Sequence, residues 1–82
     1  MSWYVYMLRC VDDSLYTGVT TCVQRRVREH NHSRTAAAYT RTRRPVTLVY
    51  QESCRNRSEA LQREAEIKRY RRVEKLRLIG SS

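Results

Sequence analysis

Two phenols (Tyr6 and Tyr16), a guanidinium (Arg26), an imidazole (His30) and a carboxylate (Glu64) are the side chains here best suited to chemistry. Lys68 stands one helical turn beyond Glu64. No serine–histidine–acid arrangement or glycine-rich phosphate loop competes with this set. Inward carboxylates are too few for a two-metal hydrolytic site, which generally needs several acidic ligands. One carboxylate still suffices for one Mg2+ or Mn2+, because such ions keep most of their waters and take further ligands from phosphate. An Arg beside that ion would neutralise charge on phosphoryl oxygens in the transition state. A phenol is a poor base at its usual pKa of about 10. Near a divalent ion and an Arg, its phenolate becomes more accessible. The set fits one-metal phosphodiester hydrolysis without compelling it.

These residues depend on elements legible in the sequence. Residues 3–10 read as a strand, with Trp3, Val5 and Met7 on one face and Tyr4, Tyr6, Leu8 and Cys10 on the other. Two largely apolar faces suit a central strand covered on both sides. Asp12-Asp13-Ser14 marks a turn, and Leu15–Val19 returns as the second strand of a hairpin. A turn that sets Val11 opposite Leu15 pairs Cys10 with Tyr16, placing Tyr6 and Tyr16 on one face. Gly18, inside the second strand, marks either a close backbone approach to a ligand or a small residue beside a large neighbour. Thr21 and Gln24 have the spacing of a capping box, predicting a helix from near Cys22 to about Asn31. Val23, Val27 and His30 then face inward, while Arg25, Arg28 and Glu29 point outward. Arg26 lies at the edge of the inward stripe, one turn below His30, where its charge must find a partner or open onto a cleft.

Residues 31–46 show no clear period. Ala36–Tyr39 suggests one helical turn, and Arg41, Arg43 and Arg44 before Pro45 read as a mobile basic loop able to contact phosphates. A merely solvated loop is the alternative. Val46–Ser53 is the third strand, and Asn56 with Glu59 gives a second capping-box signature. In the helix that follows, Arg57 to about Arg72, the residues Ala60, Leu61, Ala65 and Ile67 define an apolar arc with Glu64 near its middle. A carboxylate there needs a counter-charge or a bound cation; an ion pair with Lys68 at the core's margin would also satisfy it. Val73–Ile79 reads as a short closing helix ended by Gly80, with Ser81-Ser82 a frayed tail. There is no internal repeat, and residues 1–80 read as one domain.

With 82 residues, the chain is near the lower limit for a core without staples. No segment approaches the roughly 20 apolar residues that cross a bilayer. No apolar stretch follows a basic N-terminus, so no signal peptide is expected, and the expected location is cytosolic or nuclear. Cys10, Cys22 and Cys54 are odd in number and scattered, unlike a disulfide framework. A zinc site combining them with His30 or His32 would lack the usual C-x2–4-C pair. They read instead as small buried hydrophobes. Seventeen basic residues against eight acidic give a net charge of +9, and fifteen of the seventeen are Arg. The planar guanidinium fork matches phosphate, so this basicity points to nucleic acid. No helix combines a basic face with a bulky apolar one, which argues against a membrane surface.

Tyr4-Val5-Tyr6, followed by Tyr16-Thr17-Gly18, resembles the paired motif that names the GIY-YIG nuclease superfamily. Arg26-Val27-Arg28-Glu29-His30 is similar to the family's R-[LV]-x-x-H helix, and Ala60-Leu61-Gln62-Arg63-Glu64 to its A-L-x-x-E metal-binding helix. Any one block is weak, but four in order and register cover nearly the whole chain, as in small stand-alone members. The resemblance implies an α+β fold, a three-stranded antiparallel sheet flanked by helices. It also implies site roles. Tyr6 would be the general base or its partner, Tyr16 would orient the water or share that role, and Gly18 would let the backbone approach the site. Arg26 would stabilise the pentacovalent phosphate, Glu64 would hold a single metal ion, and His30 would hydrogen-bond near the base or leaving group. The chain departs from the pattern twice. Tyr4 stands where the first motif often begins with Gly, and no Asn follows Glu64, where some larger members carry one.

The expected activity is that of a metal-dependent DNA endonuclease or structure-selective nuclease, with Mg2+ or Mn2+ as cofactor and RNA as a further candidate substrate. Arg41, Arg43, Arg44 and Lys68 are the candidate phosphate contacts. Two other readings use the same residues. One is a nucleic-acid-binding module with little or no turnover. The other is a subunit that cuts only with a protein partner, since so small a domain offers few surfaces for reading base edges.

Overall fold

The computed structural model describes residues 2–80; the expected tail, Ser81 and Ser82, lies outside them. β1 (Trp3–Arg9) lies between β2 (Leu15–Thr20) and β3 (Thr47–Cys54) in one antiparallel sheet. The helices are α1 (Val23–His32), α2 (Ala38–Arg41), α3 (Arg57–Lys68) and α4 (Arg72–Gly80). This is the α+β architecture expected, and β1 is the central strand that its two apolar faces require.

Each face of β1 feeds its own core. Val5 and Met7 pack with Cys54, Ala60 and Ile67 beneath α3, with Leu78 and Ile79 of α4 against the same cluster. Tyr6, Leu8 and Cys10 pack with Val23 and Val46 on the α1 side. Cys10 and Cys54 are the small buried residues expected, whereas Cys22, at the N-cap of α1, is exposed.

The hairpin register differs from the expectation by two residues. Leu8, not Cys10, stands opposite Tyr16, and Tyr6 stands opposite Gly18. The cause is a longer turn. Cys10 N–H donates to the Ser14 carbonyl, Asp13 N–H to the Cys10 carbonyl, and Val11 N–H to the Arg43 carbonyl, so Cys10 and Val11 leave the ladder. Asp13 adopts φ 70°, and the Asp12 carboxylate accepts from Ser14 N–H. A slip of two preserves the alternation of side chains, so Tyr6 and Tyr16 still share a face.

The first helix start also differs. Thr21 makes no cap; Thr20 Oγ1 instead accepts from Cys22 N–H at 3.1 Å, just outside the helix. The second start is as expected, with Asn56 Oδ1 accepting from Glu59 N–H at 2.8 Å. The Glu59 carboxylate reaches back to Arg55 N–H at 3.1 Å.

α3 ends at Lys68 rather than near Arg72, and its buried face is turned from the expected arc. Ala60 and Ile67 are wholly buried, Leu61 is half-buried and Ala65 is exposed. At ~100° per residue, the stripe through Ala60 and Ile67 has Arg63 on one flank and Glu64 on the other. Arg63 fixes that rotation by donating through Nε to both Glu52 oxygens of β3, at 3.1 and 3.2 Å. Glu64 therefore sits at the margin of the core, not at its centre.

Thermal or urea unfolding should separate the two helix starts. Asn56→Ala should cost about 1 kcal/mol through loss of its cap bond, whereas Thr21→Ala should leave stability unchanged within about 0.5 kcal/mol.

Candidate active site

Three elements bring Tyr6, Tyr16 and His30 together. The Tyr6 side chain leaves β1 on the α1 side and lies across Gly18 of β2. A Cβ built on Gly18 would stand 2.6 Å from Tyr6 Oη, 2.8 Å from its Cζ and 3.1 Å from Tyr16 Cε2. Between the two expectations for this glycine, the structure shows a small residue beside a large neighbour, and that neighbour is the phenol itself. Tyr6 Oη and His30 Nε2 are 2.8 Å apart. The Tyr16 ring lies 6.4 Å from that of Tyr6 and meets the His30 ring edge-on at 5.1 Å.

His30 occupies the inward face of α1, wholly buried, as its spacing from Val23 predicts. Its Nδ1 lies 2.7 Å from Thr40 Oγ1. Burial pulls its pKa down to about 4, Arg26 and Arg44 add to the fall, and Glu29 opposes it. The imidazole is therefore neutral at pH 7. Burial pushes the Tyr6 phenol above its ordinary value, and Tyr16 and Glu64 add to the rise, while the Arg26 guanidinium beside the oxygen pulls the other way. Neither group ionises near neutrality, so the pair is a neutral phenol hydrogen-bonded to a neutral imidazole.

Arg26 is a quarter exposed and donates through Nη1 to Glu29 Oε1 at 2.9 Å and to the Thr35 carbonyl at 3.4 Å. Its charge thus finds a partner while still facing Tyr6. Glu64, on α3, contributes the smallest of the charge effects on the Tyr6 phenol. Lys68 Nζ lies 3.5 Å from Glu64 Oε2, the expected ion pair. With Lys68 about half exposed, a pair of this kind is worth about 0–1 kcal/mol and yields readily to a competing cation. No group of three or more His, Cys, Asp or Glu side chains able to hold a metal forms among the described residues. A single carboxylate suits an ion that draws its remaining ligands from water and phosphate, as Mg2+ does.

The arginine-rich segment is pinned rather than mobile. Arg44 donates through Nε to the His30 carbonyl at 2.6 Å and through Nη2 to the Ser33 carbonyl, so it caps the end of α1. Arg43 donates to Asp12 and to the Tyr39 carbonyl, and its guanidinium lies 3.9 Å over the Tyr39 ring. Tyr39 in turn stacks on Tyr16 at 6.0 Å. Of the three arginines only Arg41, on α2, is exposed without an ion pair among the described residues. Asn31 pins the same segment by pairing its amide with both backbone groups of Val46. Asn31 lies in the last turn of α1, and Tyr39 and Thr40 on the four-residue α2, where no clear period assigns a residue to the site.

A family model for the GIY-YIG catalytic domain matches residues 2–77. The chain belongs to that family. The family is of nuclease type, and membership implies a nucleic-acid substrate. A UPF0213 protein of Desulfotalea psychrophila is 52% identical over 81 residues, which is 99% of this chain and 74% of the relative. Another from Staphylococcus haemolyticus is 54% identical over 76 residues, 93% and 92% of the two chains. The solution NMR structure of a UPF0213 protein from Bacillus halodurans is 41% identical, with TM-score 0.64 over 100% of this chain and 86% of that one. Among the described residues no helix is long and apolar enough to cross a membrane.

Two outcomes follow from this geometry. Gly18→Ala should cost about 1–3 kcal/mol by overpacking, and should displace the Tyr6 ring, which tyrosine ring NMR shifts would report. The second concerns pH. Because His30 titrates near 4 when folded and about 6.5 when unfolded, the unfolded chain binds the extra proton between those values. Stability should therefore fall as pH drops from 6.5 to 4, by up to about 1.4 kcal/mol per pH unit from this group. Urea titrations at pH 7 and pH 5 should show that contribution in the wild type and its absence in His30→Gln.

Proposed function

We propose that the protein is a DNA endonuclease that hydrolyses phosphodiester bonds with one divalent cation, Mg2+ or Mn2+, held by Glu64. The observation that carries this reading is the hydrogen-bonded Tyr6–His30 pair, with Arg26 facing the phenol oxygen. A neutral phenol cannot itself remove a proton from water. Paired with an imidazole it can receive one proton while passing its own to His30 Nε2, so the two act as one general base. The water oxygen then attacks phosphorus, the bond to the leaving oxygen breaks, and that oxygen takes a proton from solvent. Tyr16, beside both rings, orients the attacking water. Arg26 offers its guanidinium to the charge that develops on the phosphoryl oxygens.

The metal, bound at Glu64, would supply Lewis-acid charge to the same oxygens. Lys68 would be released from Glu64 to contact the strand. Arg41, exposed and without an ion pair among the described residues, would contact phosphates directly, whereas Arg43 and Arg44 would serve mainly by holding α2 and the end of α1 in place. The chain's net charge of +9 supports a nucleic-acid partner.

The reading is tested on labelled single-stranded, duplex, nicked and branched DNA, each with Mg2+, Mn2+ or EDTA. Wild type should cut at least one substrate only when metal is present. Arg26→Ala and Glu64→Ala should each lose about 100-fold or more in rate, with circular dichroism unchanged. Cleavage by Glu64→Ala at the wild-type rate would remove the metal role from that residue. Tight, salt-sensitive binding with no cutting under any condition would move the protein to the class of binding modules or partner-dependent subunits.

A further inference from the structure

We propose that Thr40 is a positioning residue that fixes His30 in the Nδ1–H tautomer and so keeps Nε2 open as the acceptor of the Tyr6 proton. The inference rests on the preceding reading for its meaning in catalysis, but its structural content stands apart from it.

Thr40 is wholly buried on α2, and so is His30. Thr40 Oγ1 lies 2.7 Å from His30 Nδ1 and 3.1 Å from the Ala37 carbonyl oxygen. A neutral imidazole carries one N–H and one bare nitrogen, so two proton arrangements satisfy the distances. In the first, Tyr6 donates to Nε2, Nδ1–H donates to Thr40, and the Thr40 hydroxyl donates to the Ala37 carbonyl. In the second, Thr40 donates to Nδ1 and Nε2–H donates to Tyr6.

Counting donors separates them. The first arrangement gives each of the three protons an acceptor. In the second, the Tyr6 proton has no protein acceptor: its oxygen meets His30 Nε2, now a donor, and the guanidinium of Arg26, which can only donate, so only water could take it. A buried hydroxyl left without an acceptor is unfavourable. The first arrangement is therefore the one that satisfies every proton within the protein, and in it the hydrogen bond at one ring nitrogen dictates the state of the other.

The surrounding fold supports this role. Arg44 grips the His30 carbonyl while Thr40 grips its ring, so both attachments come from the segment around α2. In the direction of proton flow, Tyr6 hands its proton to Nε2 and receives one from water. The imidazole, already protonated at Nδ1, becomes an imidazolium that Thr40 continues to hold.

The experiment is long-range 1H–15N NMR of the His30 ring, compared across wild type, Thr40→Ser and Thr40→Val, alongside cleavage rates. Wild type should show a protonated Nδ1 and a bare Nε2. Thr40→Val leaves Nδ1–H without a partner, so it should shift the ring towards the Nε2–H tautomer and slow cleavage about 10-fold to 100-fold. Thr40→Ser should restore both. A protonated Nε2 in the wild-type protein overturns the proposal, as does Thr40→Val with tautomer and rate unchanged. If Thr40→Val fails to fold, the wild-type and Thr40→Ser spectra still decide the tautomer. Because the spectra need no turnover, a protein that binds DNA without cutting it would sink the nuclease reading and leave the tautomer result standing.

Discussion

The fold around the candidate site depends on one steric fact: the Tyr6 ring must cross β2 to reach His30, and only glycine leaves room at position 18. The phenol is almost wholly buried and belongs to the same apolar cluster as Leu8 and Val23. Its position is therefore set by core packing rather than by a flexible polar contact, and the packed interior transmits any change of volume directly to its oxygen. β1 must be central for this to work. One of its faces carries the phenol towards α1, and the other is covered by α3 and α4.

Burial also sets the electrostatic character of the site. A buried imidazole and a buried phenol both favour their neutral forms, so the pair holds a proton between them instead of a charge. Charge is kept at the margins, on Arg26, which is partly exposed and tied to Glu29, and on Glu64, which is tied to Lys68. Each pair keeps one side chain a third or more exposed, so water partly screens both. Under the proposed function, a phosphate group and a cation would replace these two partly screened pairings and leave the buried hydrogen-bonded core undisturbed.

Much of this was legible in the sequence because it follows from period. Alternation along residues 3–10 placed Tyr6 on the same face as Leu8, and a spacing of seven from Val23 placed His30 inward. The hairpin register is not legible because the five-residue turn is closed by Asp12 and by backbone bonds to Ser14 and Arg43, which residue types do not announce. The α3 arc differs from the expected one because Ala65 is apolar but small, and its exposure costs little. What turns the helix is Arg63 bonding to Glu52, a contact between residues eleven apart. The same α3 rotation that sets Glu64 off the core's centre leaves its side chain about a fifth exposed, paired with Lys68.

The segment from residue 33 to 45 shows why composition misleads where period is absent. Three arginines before a proline look like a solvated phosphate-binding loop, yet two of them spend their donors on backbone carbonyls and a carboxylate. Their planar forks satisfy the open end of α1 and the hairpin turn, and so fix the one short helix that carries both Tyr39 and Thr40. Tyr39 stacks on Tyr16, and Thr40 bonds the ring of His30. Basic residues that composition assigns to the ligand are thus largely consumed in ordering the protein. In an 82-residue chain with a small core, hydrogen bonds from arginine to carbonyl oxygen take over positioning that a larger domain would obtain from apolar packing.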